Sequence, residues 1–138
     1  MKQVFLSVSF KGKEKVFGEI ETIKTVLSNR GYDLLVFVDK YQFAKGEEKK
    51  MMDQSRHDIN NSKFLIAEVS DKAIGVGIEI GYAAGMKKPV LYLRKADAEY
   101  STTVGGIAGH HIVYESCADL HKKLDTALSE LLQAFPHP

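Results

Sequence analysis

Apolar positions along the chain fall into two alternating rhythms. Residues 3–10, QVFLSVSF, alternate apolar and small side chains and predict a strand. From about 13 to 30, Val16, Ile20, Ile23, Val26 and Leu27 recur at helical spacing. Gly31 closes that pattern, as a glycine just past a helix end commonly does. DLLVFV at 33–38 is apolar almost throughout and predicts a second strand, buried on both faces. Residues 46–61 are polar, with Met51, Met52, Ser55 and Ile59 roughly on one face, and predict a helix. FLIAEV at 64–69 predicts a third strand, and a helix is expected from about Val76 to Lys87. PVLYLR at 89–94 predicts a fourth strand, residues 95–109 a loop, and HIVYE at 111–115 a short fifth strand. An amphipathic helix over 117–134 ends the pattern.

Strands that alternate with helices imply a parallel sheet covered on both faces. The expectation is a three-layer α/β/α sandwich on a five-stranded, mainly parallel sheet. Its order would be the flavodoxin-like or Rossmann-like 2-1-3-4-5, as one domain over residues 1–138. In such sheets ligands bind beyond the carboxyl ends of the strands, where strand order reverses. That point lies between strands 1 and 3, so the loops after Ser9 and Val69 are where chemistry is expected.

Composition narrows the class without naming a function. The 138 residues are 44% hydrophobic and 27% charged, which suits one folded domain rather than a disordered chain. Nineteen Lys and Arg against eighteen Asp and Glu leave a formal charge of +1, too little for a general nucleic-acid binder. The single Cys117 can form no internal disulfide. The first apolar run ends near Phe10, too short for a secretion signal or a membrane span, so a cytoplasmic protein away from membranes is expected. The five histidines, His57, His110, His111, His121 and His137, have no spacing that builds a metal site, and no metal or cofactor is expected.

Strand 1 ends in Ser7-Val8-Ser9-Phe10-Lys11-Gly12. Two hydroxyls, a lysine and a glycine before a helix suit an anion; they equally suit an ordinary turn whose serine caps the helix. After strand 3 comes Ser70-Asp71-Lys72-Ala73-Ile74-Gly75-Val76-Gly77-Ile78-Glu79-Ile80-Gly81. Gly75 and Gly77 allow a close backbone approach, but the glycine spacing of a dinucleotide fingerprint and the lysine of a P-loop are missing. Glu79 falls in the predicted first helical turn, where the helix dipole favours the ionised form a nucleophile needs. First-turn acids also occur purely for stability, and an exposed one contributes only about 0.3–1 kcal/mol. Tyr41 and Phe43, between strand 2 and the next helix, suit either core packing or stacking on a base.

The stretch FLIAEVSDKAIGVGIEIGYA, residues 64–83, resembles the nucleoside 2-deoxyribosyltransferase superfamily, which includes the 2'-deoxynucleoside 5'-phosphate N-hydrolases. KKPVLYLR at 87–94 and FLSVSFKG at 5–12 are similar to the family's next strand and to its first strand with the substrate loop. The resemblance implies that Glu79 is a nucleophile that attacks the anomeric carbon of a deoxyribose. It implies a nucleotide or nucleoside substrate lined by Ser7, Ser9, Phe10, Lys11, Gly12, Gly75 and Gly77. It also implies at least a homodimer, with the hydroxyls of Ser101, Thr102 and Thr103 reaching a neighbouring subunit's substrate.

Several positions depart from the family pattern. The family's second acidic residue falls on Ser55 when counted back from Glu79, whereas Asp58 lies one helical turn later as an alternative helper. Ala73 stands where the hydrolases carry a phosphate-binding serine and transferases often an aspartate; Val8 and Ile78 replace a glycine and a tyrosine. Hydrolysis of deoxynucleoside 5'-monophosphates is the first expectation, because Lys11 and residues 101–103 suit a phosphate. Base exchange between deoxynucleosides is the second, and a non-catalytic nucleotide sensor on the same fold the third.

Overall fold

The computed structural model describes residues 2–134; Met1 and residues 135–138, with His137 among them, lie outside it. Five strands, β1 (Lys2–Val8), β2 (Tyr32–Val36), β3 (Leu65–Glu68), β4 (Val90–Lys95) and β5 (His110–Tyr114), pair in parallel in the order β2-β1-β3-β4-β5. The helices are α1 (Phe17–Ser28), α2 (Phe37–Lys40), α3 (Glu48–Asn60), α4 (Ile74–Gly85), α5 (Thr102–Ile107) and α6 (Cys117–Ala134), with a 3-10 turn at Lys13–Val16 before α1.

Side-chain alternation along the strands divides the core into two layers. Val4, Leu6 and Val8 of β1, with Ile66 and Leu91, pack against Ile20, Ile23 and Leu27 of α1 and Leu120, Leu124 and Leu128 of α6. Phe5, Leu65, Ala67 and Tyr92 face the other way, onto Ile59 of α3 and Val76, Ile80 and Ala83 of α4. Ser7 and Ala67 sit side by side in the register, and Ser7 has the parity of Phe5, facing the α3/α4 layer. Glu68 has the parity of Ile66 and faces the α1/α6 layer. No helix among the described residues is long and apolar enough to cross a membrane.

Three local expectations are corrected. The first strand stops at Val8, and Phe10 lies in the following turn, 69% exposed, instead of ending the strand. The apolar run 33–38 is split: β2 ends at Val36 and Phe37–Lys40 turns helical, with Phe37 stacked on Phe43 and close to Phe5 and Tyr41. A continuous apolar run carries no periodicity, so it did not show where the strand ended. The expected loop 95–109 contains α5, a short helix capped by Ser101, whose hydroxyl accepts from the Val104 amide. Two glycines in six residues hid it from a pattern reading. Gly31 behaves as expected: its φ of +82° lets the chain turn sharply out of α1.

Candidate active site

The site begins at the carboxyl edge of the sheet, where Ser7 lies beside Ala67 and faces the layer of α3 and α4. Glu79 of α4 meets it there. Ser7 Oγ donates to Glu79 Oε1 at 2.6 Å, and Ser55 Oγ donates to Glu79 Oε2 at 3.0 Å. Both serines are 1% exposed, so each hydroxyl is fixed by packing and each carboxylate oxygen has one donor from a different element.

Glu79 does not lie in the first turn. Helix α4 begins at Ile74, two residues earlier than the apolar pattern indicates, which puts Glu79 in the second turn with no acidic residue in the first. The dipole of a helix acts mainly within its end turn, so it is not what sets this carboxylate's ionisation. Burial pushes the Glu79 carboxyl above the ordinary glutamate value, and the Ser7 and Ser55 hydrogen bonds pull it partly back. A half-buried carboxylate held by two hydroxyls is a directed, incompletely solvated nucleophile that still opens to the cleft, which is what attack on carbon requires.

The two candidates for the second polar position make different contacts. Ser55 meets Glu79, while Asp58, one turn further along α3, hydrogen-bonds Gln54 through Oδ1 at 3.0 Å. Gln54 in turn reaches the Tyr41 hydroxyl at 3.1 Å, and nearby Asp58, together with burial, raises the Tyr41 pKa. Asp58 is 5% exposed and its Oδ2 is buried without a partner. Asp58 thus belongs to a Tyr41–Gln54–Asp58 cluster beside the Phe37–Tyr41–Phe43 aromatics.

The remaining expected residues divide in two. Ser9 is buried, and its hydroxyl accepts from the Gly12 amide at 3.2 Å and donates to Asp71 Oδ2 at 3.0 Å. Lys11 is exposed; Lys13, two residues on, pairs with Asp39 at 2.8 Å and lies over the Phe10 ring. Gly77, Ser101 and Thr103 line one groove of about 360 Å³ with Ala73 and Ile74, all within the same chain. Gly75 faces open space, and Thr102 is exposed.

Two acidic residues went unassigned at the sequence level. Asp71 closes over the loop after β1, with Ser9 and Gly12 beneath it. Glu68, 1% exposed on the opposite sheet face, accepts from the Ser70 amide and hydroxyl at 2.8 Å each and from the Tyr114 hydroxyl. Burial raises its carboxyl above the ordinary value, and the charge of Glu68 with burial drives the Tyr114 phenol far upward. Ser70 Oγ also accepts from the Lys95 amide at 2.9 Å, so Glu68 anchors the start of the β3–α4 loop to β4. The signal for Asp71 was its place, three residues beyond β3 at the switch point; that for Glu68 was a charge inside an apolar run.

The chain is similar to known proteins in sequence and in fold. The family model of nucleoside 2-deoxyribosyltransferase matches residues 4–128. A protein of Thermofilum pendens named "Putative 2'-deoxynucleoside 5'-phosphate N-hydrolase 1" is 27% identical over 135 residues, covering 91% of this chain and 94% of its own length. A protein of the same name from Syntrophotalea carbinolica is 30% identical over 135 residues, covering 93% and 95%. The fold is shared with the solved structure of Clostridium botulinum CMP N-glycosidase, at a TM-score of 0.66 and 24% identity, covering 91% of this chain and 99% of that one. With the match spanning all five strands and the helix that carries Glu79, the chain belongs to the nucleoside 2-deoxyribosyltransferase family.

Proposed function

We propose that this protein hydrolyses the N-glycosidic bond of 2'-deoxynucleoside 5'-monophosphates, with Glu79 as nucleophile. The observation that carries the reading is the half-buried Glu79 carboxylate at the switch point, with Ser7 and Ser55 each holding one oxygen. The names of relatives that match along nearly the whole chain point to the same bond. One Glu79 oxygen attacks C1', and the C1'–N bond breaks with its electron pair leaving on the base. A glycosyl ester on Glu79 results. Water then adds at C1', its proton balancing the one taken up by the departed base, the C1'–O ester bond opens, and the carboxylate returns, with retention over the two displacements. A sugar without a 2'-hydroxyl forms the oxocarbenium-like transition state more readily, so one fixed carboxylate carries much of the step.

In this proposal Ser7 and Ser55 orient Glu79, and the β1 loop with Ser9, Phe10, Lys11 and Gly12 takes the sugar-phosphate end. Gly75 and Gly77 leave room along α4, and Asp58 acts as helper through Gln54, with which it is bonded. Base transfer to an acceptor would use the same ester, intercepted by a second base in place of water. The protein acts as one cytoplasmic domain without a cofactor, and as a homodimer or higher homo-oligomer. Ile74 and Ile78, one turn apart on α4 and 85% and 51% exposed, support an interface there, beside the groove of Ser101 and Thr103. Thr102 lies on the same short helix, α5, and is exposed toward such a partner.

The test follows free base and sugar from deoxynucleoside monophosphates and deoxynucleosides, with and without an added acceptor base. Hydrolysis predicts deoxyribose 5-phosphate without an acceptor and loss of turnover in Glu79→Gln. Turnover that survives Glu79→Gln, or nucleotide binding in calorimetry with no base released, overturns the reading. Light scattering on the eluting protein reads the oligomer, which a monomeric mass refutes.

A further inference from the structure

The loop after β1 and the loop after β3 are fastened to each other by Asp71. Its Oδ2 accepts from Ser9 Oγ at 3.0 Å, and Ser9 Oγ accepts from the Gly12 amide at 3.2 Å. A Cβ on Gly12 would stand 2.9 Å from Asp71 Cβ and 3.0 Å from Oδ2, so the acidic side chain lies directly against the Gly12 backbone. These are the hydroxyl and the backbone that the proposed function gives to the substrate's phosphate. The same loops, with Lys15 and Lys95, line a pocket of about 230 Å³ that Asp71 and Asp97 also line. Lys95 is partly engaged, to Glu19 at 3.4 Å and the Lys15 carbonyl at 3.2 Å, whereas Lys15 makes no ion pair among the described residues.

We propose that Asp71 is a specificity-determining residue, an internal occupant of the phosphate position that any 5'-phosphomonoester must displace. The inference rests on the glycosidase reading above and deepens it. A phosphate settling on Ser9 and Gly12 brings its negative charge within contact distance of the exposed carboxylate, and the two repel, less so as salt screens them. Binding therefore exchanges one acceptor for another at Ser9, and Asp71 must swing off the turn toward solvent. A free 5'-hydroxyl carries no charge and meets no such opposition. When deoxyribose 5-phosphate is the product, Asp71 also competes for its position and so speeds its departure.

The experiment compares wild type, Asp71→Asn and Asp71→Ala with paired substrates, a deoxynucleoside and its 5'-monophosphate. Asparagine still accepts from Ser9 and keeps the loop fastened, so it isolates the charge. The ratio of kcat/KM for the monophosphate to that for the nucleoside should rise by at least about tenfold in both variants. Inorganic phosphate and deoxyribose 5-phosphate should bind more tightly in calorimetry, with the gain over wild type shrinking at high salt, since Asp71 is exposed. An unchanged ratio with unchanged phosphate binding overturns the proposal, as does weaker phosphate binding in Asp71→Asn. Should no substrate be turned over, the glycosidase reading fails alone, and the phosphate titration still decides the role of Asp71.

Discussion

Replacing Glu79 with glutamine should make the protein more stable while it abolishes turnover. Taking a carboxylate out of water costs several kcal/mol even after the site relaxes. Two hydrogen bonds to a charged group, from Ser7 at 2.6 Å and Ser55 at 3.0 Å, return about 1.5–3 kcal/mol each. The two sums are of similar size, and the raised pKa says that desolvation outweighs the two hydrogen bonds. Glutamine has almost the same shape, can still accept from a serine hydroxyl, and carries no charge to desolvate. A gain on the order of 1 kcal/mol is expected near pH 7, or about 3–5 °C in Tm for a chain of this size. The pH dependence fixes the cause. Glu79 binds its proton more tightly folded than unfolded, so its ionisation draws stability down as pH rises from the ordinary glutamate value through the folded one. Below that window both states are protonated and the penalty is gone. Thermal unfolding followed by circular dichroism at pH 7 and at pH 4 should therefore show the variant's advantage shrinking on acidification. A variant less stable than wild type at pH 7, or an advantage that does not change with pH, refutes the reasoning.

Three further outcomes follow from the same geometry. The acidic limb of the kcat/KM profile should lie above the ordinary glutamate range, and Ser7→Ala or Ser55→Ala should move it further upward, because each removes a donor to the ionised form; a limb that moves down, or not at all, refutes their role. Tyr114→Phe deprives the buried Glu68 of one donor and should destabilise by about 1–3 kcal/mol in urea unfolding; an unchanged unfolding midpoint refutes that role. Gly31→Ala forces a side chain into the left-handed region at φ +82° and should cost about 1–2 kcal/mol with activity per folded molecule unchanged.

Much of the fold was legible because its signals are local. The alternation of apolar runs and helical spacing is read directly from neighbours along the chain, and it identified five strands, their flanking helices and the switch point between β1 and β3. The final helix, 117–134, agrees in both bounds because its amphipathic stripe is uninterrupted. Glu79 was legible for the same reason, standing in a glycine-flanked segment at the end of a recognisable strand. What it would meet there was not legible. The chain shows a serine where a relative carries an acid, and from that alone Ser55 and Asp58 are equal candidates.

Tertiary packing gave them different partners, Glu79 for Ser55 and Gln54 for Asp58. Ser7, Ser55 and Glu79 come from β1, α3 and α4, as far as 72 positions apart, and meet only because α3 and α4 pack on the same face of the sheet as Ser7. The same burial reversed the expected ionisation of Glu79, since a two-residue shift in the helix start removed the dipole and desolvation took its place. Asp71 on the Ser9–Gly12 turn is a contact across 62 residues with no periodic signature. The sequence alone determined the layers, the strand order and the carboxylate, because these follow from hydrophobic pattern and local motif. Which hydroxyls hold that carboxylate, and which acid stands over the turn after β1, only the tertiary structure decided, because burial and distance between remote segments are properties of the packed chain.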